Sequence, residues 1–153
     1  MMKRSKLRLW LCGALIGALL TFIWGNSLLP GEDSGEVSGF VGTLLQTLLP
    51  FLDLSSEEGM HLLRKAAHFT EFTALGTSFA WLWGMLMTKQ AAALSLPFLC
   101  GTTAAAIDET IQIFSPDRGP SIKDVALDAS GVLFGVLALT LVHQLLYKNR
   151  TVC

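Results

Sequence analysis

Charge is scarce in this chain. Asp, Glu, Lys and Arg supply only 15% of its 153 residues, against about 25% in a soluble domain. Nor does one sign prevail: 11 Lys and Arg stand against 12 Asp and Glu, a net charge of −1. Without a basic excess, a nucleic-acid partner is excluded. Cysteine is sparse as well. Cys12 and Cys100 lie inside apolar runs and Cys153 ends the chain, so no disulfide framework is implied. No Ser-His-Asp order, phosphate loop, paired CxxC, internal repeat or low-complexity segment is found.

Apolar residues fill the space that charge leaves. They make up 52% of the chain, and the mean hydropathy is +0.53. They gather in four runs, 9–29, 66–87, 91–114 and 125–147. About 20 residues at about 1.5 Å each cross a hydrocarbon core of about 30 Å. Continuous apolar runs read as helices, because lipid leaves no partner for an open backbone. The expected fold is all-α: one domain over 1–153, an integral membrane four-helix bundle. The first run follows Lys3, Arg4, Lys6 and Arg8, as a signal peptide would, but it is longer than the usual apolar core and lacks a small-x-small cleavage site. It reads as an anchor.

The basic residues orient the bundle. With both termini cytoplasmic, the inner side holds Lys3, Arg4, Lys6, Arg8, Lys89, Lys148 and Arg150, and the outer side Arg64, Lys65, Arg118 and Lys123. That bias favours a multi-pass cell-membrane protein with both ends inside. The acids all fall on the outer side, so polar chemistry is expected there. Between the first two runs, Phe40, Val41, Leu44, Leu45, Leu48 and Leu49 recur at helical spacing, predicting an amphipathic interfacial helix over about 38–52. Ser55 with Glu58, and Ser121 with Asp124, read as capping boxes opening the second and fourth helices.

The candidate site sits at the outer helix ends. Arg64, His68 and Glu71 share a face at i, i+4, i+7; Asp108 and Gln112 share another, with Glu109 adjacent; Asp124 and Asp128 line the fourth helix beside Gly131 and Gly135. Gly131, Gly135, Gly76, Ala67 and Ala74 are small enough for close helix packing. Asn26 and Ser27 could complete the cavity. His61 reads as solvated, His143 as interfacial, and Trp10, Trp24, Trp81 and Trp83 as anchors or lipid-packed groups. Carboxylates at membrane depth are costly, so a shared polar cavity paired with Arg64, His68 and Arg118 is expected. Three uses stay open. His68 with Glu71 or Asp108 could exchange protons. Arg64, Lys65, Arg118 and Lys123 could hold a phosphate or carboxylate. His68, Glu71, Asp108 and Glu109 could bind a divalent metal, although their spacing is not diagnostic. A charge network that only sets helix register is the bland alternative.

Three ordered blocks carry a resemblance. Arg64-Lys65-x-x-His68-Phe69-x-Glu71-Phe72, then Asp108-Glu109-x-x-Gln112-x-Phe114, then Arg118-x-x-Ser121-x-x-Asp124-Val125 with Asp128 and Gly131, resemble the signature of VanZ-like membrane proteins. Asp128 stands where Asn is more usual. The resemblance implies a bacterial cell-membrane protein of the envelope, in a family named for a member linked to resistance to the glycopeptide teicoplanin. With it, His68, Glu71, Asp108 and Glu109 are the expected catalytic set, and Arg64, Lys65, Gln112, Arg118, Ser121, Asp124 and Asp128 the expected binding set. The expected partner is a lipid-linked or cell-wall precursor, with a homodimer as a candidate assembly; cofactor and metal stay open. A non-catalytic scaffold or receptor for an envelope partner is the alternative, and a small transporter a weaker one.

Overall fold

The computed structural model describes residues 2–29, 56–87, 90–116 and 119–150. These form four helices: α1 Met2–Leu28, α2 Glu57–Leu86, α3 Gln90–Gln112 and α4 Ile122–Arg150. The described residues contain no strand. The expected all-α four-helix bundle is therefore the fold. The segment expected as an interfacial helix lies outside the described residues, as do Ser55 and Arg118.

Local chemistry sets the helix ends. Ser56 holds the extended backbone of an N-cap (φ −74°, ψ 157°), and its hydroxyl accepts from the Gly59 amide at 3.2 Å. The cap is thus one residue later than the expected Ser55. Helix α2 starts at Glu57, well before the apolar run at Ala66. Helix α3 contains Pro97, buried, whose ring removes one backbone donor from the helix. It ends by tightening: the amides of Ile113, Phe114 and Ser115 donate to the carbonyls of Thr110, Ile111 and Gln112, three residues back.

Polar side chains within the helices mostly look after themselves. The hydroxyls of Thr70, Thr73, Thr77 and Ser78 in α2 each donate to the carbonyl four residues earlier, at 2.7–2.8 Å. Thr103, Thr110 and Thr140 do the same in α3 and α4. Bonded in this way, a hydroxyl can face an apolar surrounding without an unmet donor.

Helix α2 touches α1, α3 and α4, and α3 touches α1 and α4. The α2–α4 seam is the most extensive, and glycine makes it so. A Cβ on Gly131 would stand 2.6 Å from the Phe69 carbonyl oxygen; one on Gly135 would collide with the Thr73 carbonyl, and one on Gly76 with the Val132 backbone. No side chain fits at these crossings. Ala67 and Ala74, expected on the same seam, are exposed instead. The core gathers Cys12, Ile16 and Ile23 from α1, Phe72 and Leu75 from α2, Ala104 and Ala105 from α3, and Val132 and Val136 from α4.

The outside of the bundle is apolar. Among the described residues two helical stretches, Lys6–Leu28 and Ile122–Leu146, are long and apolar enough to cross a membrane, and only 17% and 28% of their most apolar parts are buried. A core helix of a soluble protein would be mostly covered; these are not. Trp10, Leu11, Phe22, Leu99, Phe134, Leu137 and Leu141 all point outward, more than half exposed, an apolar surface that water does not tolerate on this scale. Helices α2 and α3 are diluted by Glu71, Asp108, Glu109 and several Thr and Ser residues; Asp108 and Glu109 are buried against neighbouring helices.

Candidate functional site

The polar ends of α2, α3 and α4 converge with the end of α1. Ser115 donates its hydroxyl to the Ser27 carbonyl, tying α1 to the end of α3, and Ser27 is fully buried. Trp24, expected as an interfacial anchor, is half-buried, and its indole N–H donates to the Ala104 carbonyl at 3.4 Å. Ser27 therefore joins α1 to α3, and neither it nor Asn26 lines the cavity.

A cavity of about 80 Å3 opens at this end. Helix α2 contributes His61, Arg64, Lys65 and His68 to its wall, α3 contributes Glu109 and Gln112, and α4 contributes Asp124, Leu127 and Asp128. Side-chain exposure falls from 39% at Lys65 through 19% at His68 to 1% at Asp128, which gives the cavity a wet mouth and a dry floor. At the mouth, Lys65 Nζ lies 3.6 Å from Asp124 Oδ1. At the floor, His68 Nδ1 lies 3.9 Å from Asp128 Oδ2. That is a close polar contact, too long for a hydrogen bond.

Glu109 organises the wall from α3. One carboxylate oxygen accepts from the Gln112 carboxamide at 3.0 Å, the other from the Ser121 amide at 2.7 Å. Gln112 also donates to Asp108 Oδ2 at 3.2 Å. The Ser121 amide is the group that a capping box would have assigned to Asp124. Asp124 turns instead to Lys65, and an acid from another helix caps α4. Asp108 is fully buried behind this wall.

Carboxylates are crowded here. Asp128 feels the charges of Asp108, Glu109, Asp124 and Glu71, and Glu71 that of Asp108. Ring nitrogen and carboxylate oxygens of His68, Asp108 and Asp128 lie within 4.8 Å of one another. A second, larger cavity of about 200 Å3 lies toward the other end of α2, lined by Gly84, Leu139, His143 and Gln144 among others. It gathers no carboxylate, so the chemistry is concentrated in the first.

A family model described as VanZ/LLP1 matches residues 11–146. The chain belongs to the VanZ/LLP1 family. No curated protein and no solved structure matches it. Family and outward apolar faces together make this a VanZ-like membrane protein.

The three VanZ-like sequence blocks meet at the cavity. Of the expected catalytic set, His68 and Glu109 line it and Asp108 backs it; Glu71 is half-buried, outside the wall, and acts on the group through its charge on Asp108 and Asp128. Of the expected binding set, Arg64, Lys65, Gln112, Asp124 and Asp128 line it, and Ser121 contributes its backbone amide to Glu109. Arg118 lies outside the described residues. His61, solvated as its position predicts, is also a wall residue. It is exposed, but it shares the α2 face of Arg64, Lys65 and His68 at i, i+3, i+4, i+7, a spacing that would have placed it there.

Proposed function

We propose that this VanZ-like protein crosses the cell membrane four times with both termini cytoplasmic, and that its polar cavity, open to the outer face, binds an anionic group of a cell-envelope component. The observation that carries the reading is the graded cavity, with Arg64 and Lys65 toward the mouth and the His68–Asp128 contact at the floor. Guanidinium and ammonium donors suit a phosphate or carboxylate. The volume admits a small charged group, so the rest of a lipid-linked or cell-wall precursor stays outside, along the apolar flanks. Seven Lys and Arg on the side of the termini against four on the cavity side support this orientation. A contribution to glycopeptide tolerance is the cellular role the family suggests.

The test is glycopeptide tolerance in a strain lacking the protein, complemented with wild type, His68→Ala or Arg64→Ala at matched membrane abundance. Wild type is expected to raise tolerance and both variants to lose the gain. Equal protection by wild type and His68→Ala would reduce the cavity to a packing feature. No protection by any form would remove the tolerance role.

A further inference from the structure

The floor of the cavity holds a carboxylate that the protein does not satisfy. Asp128 is 1% exposed, and neither of its oxygens accepts a hydrogen bond from the described residues. Its close polar contact among them is His68, at 3.9 Å. An ionised carboxylate in a dry site is costly unless it is paired and hydrogen-bonded, and the acids around Asp128 add repulsion. A proton or a cation relieves that cost, and no described side chain supplies the cation at hydrogen-bond distance.

We infer that His68, Asp108 and Asp128 bind a divalent transition-metal ion at the floor of the cavity. Each comes from a different helix, and one ligand atom from each lies within 4.8 Å of the others. A tetrahedral ion with bonds of about 2.0–2.2 Å to nitrogen and oxygen places its ligands about 3.3–3.6 Å apart, so each ligand moves in by up to about 0.7 Å to close the set. The contact between His68 Nδ1 and Asp128 Oδ2, unsuited to a hydrogen bond, suits two ligands of one ion. One imidazole and two carboxylates favour zinc or manganese; magnesium and calcium prefer oxygen alone. Gln112, donating to Asp108 Oδ2 at 3.2 Å, is the outer group that orients a ligand. Glu109 is engaged by Ser121 and Gln112, which leaves it outside the set.

Three protein ligands leave coordination positions for another oxygen. Under Arg64 and Lys65, that position receives the anionic group of the envelope component. This last step rests on the function proposed above; the ligation stands on the three side chains alone.

The full-length protein in detergent, stripped with a chelator, is titrated with Zn2+ and separately with Mn2+. Bound metal is counted after gel filtration, and the melting midpoint is followed. Wild type is expected to hold about one ion per chain and to melt higher with it. Asp128→Asn and His68→Gln should each bind at least about tenfold more weakly, and Gln112→Ala about 10- to 100-fold more weakly. Thr110→Ala, an exposed change nearby, should bind as wild type does. Absence of saturable binding in wild type overturns the site, a result that does not depend on whether any variant folds. Undiminished binding by folded Asp128→Asn and His68→Gln, or equal competition by Mg2+, overturns it too. The tolerance assay reads separately: metal bound as expected, with His68→Ala still protective, would sink the envelope reading and keep the ion.

Discussion

Glu109 answers two donors from different parts of the chain, the Gln112 carboxamide and the Ser121 amide, and so joins the end of α3 to the start of α4. It is 4% exposed. Removing the carboxylate strands the Ser121 amide and leaves Gln112 with Asp108 as its acceptor, in a site with little water. Glu109→Ala is expected to cost about 1–3 kcal/mol for the unmet amide, read as a lowered melting midpoint in detergent, while Glu109→Gln keeps an acceptor and should lose less. Lys65 makes a useful contrast. Its contact with Asp124 is 3.6 Å long and both side chains are more than a third exposed. Lys65→Ala should therefore change stability by less than about 1 kcal/mol, and a large loss of function in that variant would point to the ligand. A large fall in melting midpoint would refute the solvated-pair description.

At the scale of elements, the α2–α4 seam decides whether the cavity exists. His68 and Asp128 meet because the helices touch backbone to backbone at Gly131, Gly135 and Gly76, one to two turns further along. The rings of Phe69 and Phe134, with centroids 5.9 Å apart, close the same seam. Gly131→Val puts a branched side chain against the Phe69 carbonyl and must push α4 away. The expected cost is about 1–3 kcal/mol or more, as for overpacked cores, together with loss of whatever function His68→Ala removes. Gly17→Val in α1, where a Cβ meets nothing within 4 Å, is the matched control and should be tolerated. Equal damage from both would mean that close approach of α2 and α4 does not set the site.

The whole molecule has two surfaces with opposite demands. Its flanks are apolar over α1 and α4, and Glu109, Asp124 and Asp128 collect at one end with Arg64, Lys65, His61 and His68. A bilayer meets both demands if that end emerges from it. With the proposed orientation, a membrane-impermeant maleimide should label Leu62→Cys in intact cells, since Leu62 is 60% exposed beside the cavity. The C-terminal Cys153 should react only after the membrane is opened. The native Cys12 and Cys100 sit inside helices, Cys12 fully buried, and should stay silent. The reverse pattern would invert the topology and place the cavity in the cytoplasm.

Four helices, their approximate spans and the gathering of polar groups at one end were legible in residue order. The reason is local: apolar run length, caps and the 3.6-residue period act within a single helix, so faces such as Arg64–His68, Asp108–Gln112 and Asp124–Asp128 could be read directly. The VanZ-like blocks were legible for the same reason, since each falls within a short segment. The pairings between helices were not. That Asp128 faces His68, that Glu109 caps α4 in place of Asp124, and that Trp24 bonds to α3 all depend on the rotation and depth of one helix against another. Those are set where backbones touch at Gly76, Gly131 and Gly135. Spacing along a helix says which residues share a face, whereas only packing says what that face meets.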